Sequence, residues 1–506
     1  RPIPSPPTAP APTARPRPLR ARMVLGLAGL AGRLLPERCA HGPVRGAGHA
    51  RDGRVADSLG HMIGEEEDLL RVLLPKSARL DCDGFQPPLM ATLEGLRPAE
   101  RIDGAAVKAA LTYSSLLDLL APSSDMAFED PSTRAPLSHA DLASFLRALD
   151  LRCLGLVPGE RAACLVPNGP EAAVLLLACF AKCTVVPLNP MSTQQEIVFD
   201  AGRVHAKVLI AHRDYMESGA KQSGELMAAA AELGIGIVSL IPDDKVVGIF
   251  SMKHVGGTKV PLPSAGSRLL SGPEDTSLLL FTSGTSGSKK CVPYTLNTLV
   301  IGSANIIASW ELRQSDRVCN MMPLFHVGGI TRNVLSPVLS GGSAMLCGSF
   351  DPIQFWDIVA SRNNAVTWYY AGPVMHQMIL DEFRARGLSR YNFRFIANAA
   401  GGLLPSLALA MRSAYGCTIL PGYGMTECMP ICAPPLSYKL DREGTSGRAV
   451  GPQMKIFNDV GEEVAAGTVG NIVVKGPPLF QGYEGDAVAT QECFFKDGWF
   501  NTGDLG

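Results

Sequence analysis

From about Pro136 onward, short apolar runs alternate with amphipathic segments of helical length. "AACLVP", "TVVPLNP" and "AKVLIA" read as strands, and "LSHADLASFLRAL", "NGPEAAVLLLACFA" and "TQQEIVFDAGRV" as the helices among them. Strands separated by whole helices pair through crossovers rather than hairpins, which predicts an α/β fold with parallel-rich sheets flanked by helices. Ser138 or His139 is placed to cap the first helix, and Asn168 the second. Residues 244–270 read as a loop insertion, after which the rhythm resumes. "VCNMMP", "SAMLCG", "AVTWYYAG" and "FRFIANA" are expected strands, with a helix in "DPIQFWDIVASRN" and another from Pro405, before the strand "CTILPGYG". From about Thr445 helical patterns stop, and "AVGPQMKIFND" and "NIVVKG" suggest a small β-rich subdomain.

The segment "FTSGTSGSKK", Phe281 to Lys290, follows an apolar strand and holds two glycines, five hydroxyl side chains and two lysines. Glycine lets backbone N–H groups turn toward an anion, hydroxyls add donors and lysine adds charge, so the composition suits an oligophosphate. The same composition also suits a flexible surface loop. Loops at strand ends are common ligand sites in α/β folds, which favours the first reading. The stretch is not a Walker loop, because Lys289 stands where that pattern needs its second glycine.

With 506 residues and 46% apolar content, the chain has ample material for a large core. A formal net charge of −1 argues against a nucleic-acid binder. Residues 1–50 carry eight arginines and one acid, Glu37. Residues 1–62 therefore read as a disordered Pro/Arg-rich leader, with Met23 opening either an organelle-targeting segment or untranslated sequence read as protein. Residues 63–124 read as a helical extension, including a helix in "GEEEDLLRVLLP", and 125–506 as the main domain. Thirteen scattered cysteines include no Cys-x-x-Cys, and the pairs Cys179/Cys183 and Cys428/Cys432 lack partners at zinc spacing. Buried free thiols of a cytoplasmic or organellar, not secreted, protein are expected. No apolar stretch is long enough for a transmembrane helix.

Five motifs in fixed order, "TSGTSGSKKCVPY", "PLFHVGG", "NAAGGLLP", "GYGMTE" and "GWFNTGD", resemble those of the adenylate-forming superfamily, which includes acyl-CoA synthetases, peptide-synthetase adenylation domains and luciferases. The resemblance covers roughly residues 125–506. It implies the large N-terminal domain of such an enzyme and a two-step reaction: ATP activates a carboxylic acid to an acyl-adenylate, and a thiol displaces AMP. The thiol would belong to coenzyme A or, in the carrier-loading alternative, to the phosphopantetheine of a carrier-protein domain. A third alternative is an inactive nucleotide- or acyl-binding protein.

By this resemblance Thr282, Ser283, Gly284, Thr285, Ser286, Gly287 and Lys290 would grip the outer phosphates. Ser286, Lys289 and Cys291 stand where family members usually have Thr, Pro and Gly; Lys289 adds charge, and Cys291 makes a tight turn less easy. Tyr423 would stack on adenine, Thr426 touch phosphate, Glu427 hold Mg²⁺, and Asp504 accept hydrogen bonds from the ribose. Gly401 and Gly402 would admit the base and acyl group, and His326 would lie near the carboxylate. No acid occurs from Pro323 to Phe350, where amino-acid-activating members place one, so an acid without an α-amine is favoured. "TWYYAGP" is expected to line the acyl pocket or to serve as core. The family's small C-terminal domain and its catalytic lysine would lie beyond Gly506, which makes the sequence as given an expected truncation, able to bind ATP but slow in adenylation.

Overall fold

A computed structural model of the chain describes residues 69–70 and 86–506, apart from 218–219, 257–262, 265, 283–288, 362–364 and 390. The expected leader, 1–62, lies outside the described residues.

Two large sheets organise the molecule. The first has eight strands, in spatial order Leu69–Leu70, Phe250–Val255, Gly236–Pro242, Val208–His212, Arg161–Leu165, Thr184–Pro187, Thr276–Thr282 and Lys290–Thr295. The second has seven: Thr418–Pro421, Phe395–Asn398, Trp368–Ala371, Arg317–Asn320, Ser343–Leu346, Met126–Glu129 and Leu137–Ser138. The pairings inside each sheet are parallel, while those at the edges include antiparallel ones. Residues Gln453–Phe457, Asn471–Lys475 and Phe500–Leu505 form a separate three-stranded sheet, the expected β-rich part.

Strand periodicity explains how the sheets stack. Successive side chains point to opposite faces, so a strand buried on both sides feeds two cores. On Arg161–Leu165, Ala162 and Cys164 enter a central core, while Ala163 and Leu165 enter an outer one beneath helices Gln194–Arg203 and Lys221–Leu233. On Trp368–Ala371, Trp368 and Tyr370 face the central core, while Tyr369 and Ala371 face a second outer core under helices Pro352–Ser361, Pro373–Ala385 and Pro405–Tyr415. The central core also holds helices Pro170–Lys182 and Leu296–Trp310. Every residue of Pro170–Lys182 is buried, in keeping with a helix that is apolar nearly all round. Its Lys182 ammonium donates to the carbonyls of Leu149 and Arg147.

Four local expectations differ from the structure. Leu69–Leu70, expected in a helix, is a short strand on the edge strand Phe250–Val255; a brief apolar run does not distinguish the two states. Phe250–Val255 itself lies inside the expected loop 244–270 and returns antiparallel to Gly236–Pro242, with Phe250 and Met252 buried and Lys253 exposed. Helix Ala487–Cys493 interrupts the β-rich region, and it buries no residue. Asn168 is not a cap: Gly169, at φ +151, takes the N-cap position before Pro170. Ser138 does cap helix His139–Ala148, its hydroxyl accepting from Asp141 N–H at 3.0 Å. No helix among the described residues is long and apolar enough to cross a membrane.

Candidate active site

Parallel strands place their following loops side by side at the carboxyl edge of a sheet. In the seven-stranded sheet Ala371, Asn398 and Pro421 are in register at that edge. The loop after Arg317–Asn320 carries His326, the loop after Phe395–Asn398 carries Gly401 and Gly402, and Tyr423 follows Thr418–Pro421.

Three asparagines fix the His326 loop. Asn168 Nδ2 donates to Met322 O at 3.0 Å, and its Oδ1 accepts from Leu324 N–H at 2.8 Å. Asn320 Oδ1 accepts from Met322 N–H at 2.9 Å and from Asn333 Nδ2 at 2.6 Å. His326 then starts helix Val327–Ile330. Its ring is open to solvent yet crowded by protein, the situation of a side chain lining a concave surface. Desolvation lowers its pKa to about 4, so it is neutral near pH 7. The two glycines that follow are required by close packing: a Cβ on Gly328 would lie 2.7 Å from the Tyr370 hydroxyl, and one on Gly329 2.4 Å from Pro323 O. Of the "TWYYAGP" aromatics, Trp368 stacks on Phe395 with centroids 5.2 Å apart, Tyr369 is outer core, and Tyr370 borders the His326 helix.

Asn398 Nδ2 donates to Gly401 O at 3.0 Å, holding the turn in which Ala400 has φ +61. Gly401 and Gly402 line a groove with Asn398, Gly422, Tyr438 and Arg442, open to solvent and about 130 Å³ in volume. The Tyr423 hydroxyl donates to Asp504 Oδ2 at 2.6 Å, joining two motifs far apart in sequence. Burial, then the bond to Asp504, raises the Tyr423 pKa.

Glu427 is buried, and its Oε1 accepts from the Tyr483 hydroxyl at 2.8 Å. Lys290 Nζ lies 4.7 Å from the centroid of the same tyrosine ring. Burial raises the Glu427 pKa, opposed by the Tyr483 hydrogen bond and the Lys290 charge. Tyr294 OH donates to Thr426 O, and Phe480 N–H donates to Glu427 O at 2.9 Å. Among the described residues no three His, Cys, Asp or Glu side chains cluster as a metal site. Glu427, one carboxylate close to the Lys290 charge, still fits Mg²⁺, which is commonly held by one or two carboxylates together with substrate phosphates.

Thr282 and Lys290 are directly opposite each other on the antiparallel hairpin that bears the glycine-rich loop. Ser283, Gly284, Thr285, Ser286 and Gly287 lie outside the described residues. Lys289 does not add free charge there. Its ammonium is 2.7 Å from buried Asp200, and its carbonyl accepts from Arg203. Cys291 occupies no turn: it is a buried strand residue opposite Phe281. Sequence reasoning missed Asn168, Asn320, Asn398, Asp200 and Tyr483. The asparagines ending two sheet strands were the available signal, since a polar side chain there can tie down the next loop.

Residues 138–484 match a family described as AMP-binding enzyme. An oxalate–CoA ligase of Arabidopsis thaliana is 30% identical over 414 residues, covering 78% of this chain and 76% of its own length. A sulfoacetate–CoA ligase of Cupriavidus necator is 29% identical over 358 residues, covering 70% of this chain and 66% of its own length. ATP-bound MatB from Rhodopseudomonas palustris has a TM-score of 0.65 and 25% identity, covering 77% of this chain and 75% of its own. The motifs, the two-sheet architecture and these likenesses converge: the chain belongs to the AMP-binding enzyme family.

Proposed function

We propose that the protein is an acid–thiol ligase that converts a carboxylic acid to its coenzyme A thioester through an acyl-adenylate. The observation that carries this reading is the meeting of Tyr423 with Asp504 and of Glu427 with Lys290 and Tyr483. The CoA ligases among its relatives support the choice of coenzyme A.

In this reading Tyr423 covers the adenine and Asp504 accepts from the ribose hydroxyls. Thr282, Lys290, Thr426 and the loop 283–287 hold the outer phosphates by charge and hydrogen bonding. Glu427 holds Mg²⁺, which when bound supplies positive charge at the phosphates. Neutral His326 orients the substrate carboxylate, and Gly401 and Gly402 leave room for its acyl group. A carboxylate oxygen attacks the α-phosphorus, and pyrophosphate leaves. The thiolate of coenzyme A then attacks the acyl carbon, and the acyl–oxygen bond to AMP breaks. Holding the reactants in line and neutralising charge supply most of the rate.

The test is acid-dependent pyrophosphate release over a panel of carboxylic acids, with Lys290→Ala as control. Release with at least one acid, weakened in the variant through a raised KM for ATP, is expected. ATP binding with no release at all, even slow, for any acid in the panel would overturn the reading.

A further inference from the structure

Arg332 is 1% exposed, on the helical segment six residues beyond His326. Its guanidinium carbon lies 4.6 Å from the Tyr370 ring centroid and 5.7 Å from that of Trp310. Nε and Nη1 make no hydrogen bond, and Arg332 joins none of the ion pairs among the described residues. Arginines flanking the same sheet behave differently. Arg394 grips Asp316 with two nitrogens, at 2.6 and 2.8 Å, and Arg317 pairs with Glu129. A buried cation without a counter-ion is costly, and facing aromatic rings offset only part of that cost.

Two further observations place this cation at the site. The backbone widens at Arg332: Ser336 N–H bonds Thr331 O, five residues back, an arrangement frequent at functional positions. A Cβ on Gly422 would lie 4.0 Å from Arg332 Nη2, so the guanidinium stands behind the glycine that borders the Gly401–Gly402 groove. Asn398 Oδ1 and Asn333 Oδ1 are also unpartnered.

The geometry points to Arg332 as the receptor for a second anionic group, carboxylate or sulfonate, on the acid that the enzyme activates. This deepens the ligase reading and rests on it for the position of the reacting carboxylate. Guanidinium presents paired N–H groups that match an oxyanion. The reacting carboxylate at His326 and a second anion at Arg332 make the substrate a diacid, and six helical residues, roughly 9 Å along the axis, leave room for a spacer of several carbons between them.

The test compares oxalate, malonate, succinate, adipate, suberate and sulfoacetate with acetate and butyrate. It measures binding by calorimetry with a non-hydrolysable ATP analogue and turnover by pyrophosphate release. Diacids are expected to exceed monoacids in kcat/KM by roughly 10- to 100-fold, the worth of hydrogen bonds to a charged group. Arg332→Met should erase that preference while retaining monoacid turnover, and Arg332→Lys should restore part of it. A wild-type preference for monoacids, or an equal loss for both classes in Arg332→Met, would overturn the proposal. If Arg332→Met fails to fold, the wild-type preference decides alone. Arg332-dependent diacid binding without turnover would sustain the subsite and sink the ligase reading.

Discussion

Tyr369 and Tyr370 leave one strand in opposite directions, and their surroundings differ in kind. On the outer face, Tyr369 packs with Phe355, Phe393 and His376, in a cluster that also holds Trp356 and Tyr415. Trp356 Nε1 donates to Ile379 O at 2.8 Å. On the inner face, Tyr370 meets Gly328 and the unpaired Arg332, and the strand edge leads to His326, Tyr423 and Glu427. The outer face is closed aromatic packing. The inner face holds a buried, unpaired cation, Arg332, whereas the unsatisfied polar atoms of the outer face, His376 Nε2 and the Tyr415 hydroxyl, are uncharged. Under the proposed ligase reading one sheet divides stability from chemistry between its two sides, and the division can be tested.

The largest effect is expected from Trp356→Ala. It should cost about 3–5 kcal/mol in denaturant unfolding, the usual range for an aromatic truncated in a core. The remaining folded protein should keep its kcat/KM within about twofold. A selective loss of activity would mean that the outer face also shapes the site.

Glu427→Gln should do the reverse. Turnover should fall roughly 100-fold, about 2.7 kcal/mol in the barrier, as for loss of one charged contact at the reacting phosphates. Stability should hold or rise, because a buried carboxylate is removed. An unfolding midpoint lowered in step with activity would break the comparison.

A pH titration sharpens it further. His376 is fully buried on the outer face, and desolvation lowers its pKa to about 3, against an unfolded value near 6.5. The unfolded chain therefore takes up the proton first. Stability from this group is intact above about pH 6.5 and falls as pH drops toward 3, by roughly 2 kcal/mol at pH 5. Unfolding curves at pH 7 and pH 5 should differ less in His376→Phe than in the parent protein; an unchanged difference would exclude His376 as the source.

The smallest effect is expected for Tyr483→Phe. The ring under Lys290 stays, but the hydroxyl that positions Glu427 is lost. KM for ATP should rise about three- to tenfold, near 1 kcal/mol, with kcat less affected. An unchanged KM would show that Glu427 holds its place without Tyr483.

The core of this arrangement was legible in the sequence because strands buried on both faces are continuous apolar runs that stand out from their flanking helices. Phe250–Val255 was not, since its short alternation runs straight into a stretch rich in Gly, Pro and Ser that reads as loop. Ala487–Cys493 was not, since a helix that buries nothing has no apolar stripe to read. The motif residues His326, Tyr423, Glu427, Lys290 and Asp504 were legible by type and order. Their supports were not: Asn168 holds a loop about 150 residues away, and Tyr483 reaches Glu427 across another element. Contacts so distant in sequence leave no local period. Arg332 was passed over because one cation in an apolar helix gives no hint of whether a carboxylate waits opposite.

Strand order in the second sheet has a consequence for the protein's birth on the ribosome. Phe128 and Glu129 pair with Ala344 and Met345, so one side of the early strand Met126–Glu129 waits for its parallel partner, made roughly two hundred residues later. At ordinary elongation rates of about 5–20 residues per second, that delay is on the order of 10–40 s. For that interval Ala127 and Phe128, both sealed in the finished enzyme, have only the short strand Leu137–Ser138 as a native sheet neighbour. The nascent chain must cross this window with one edge of the strand uncovered.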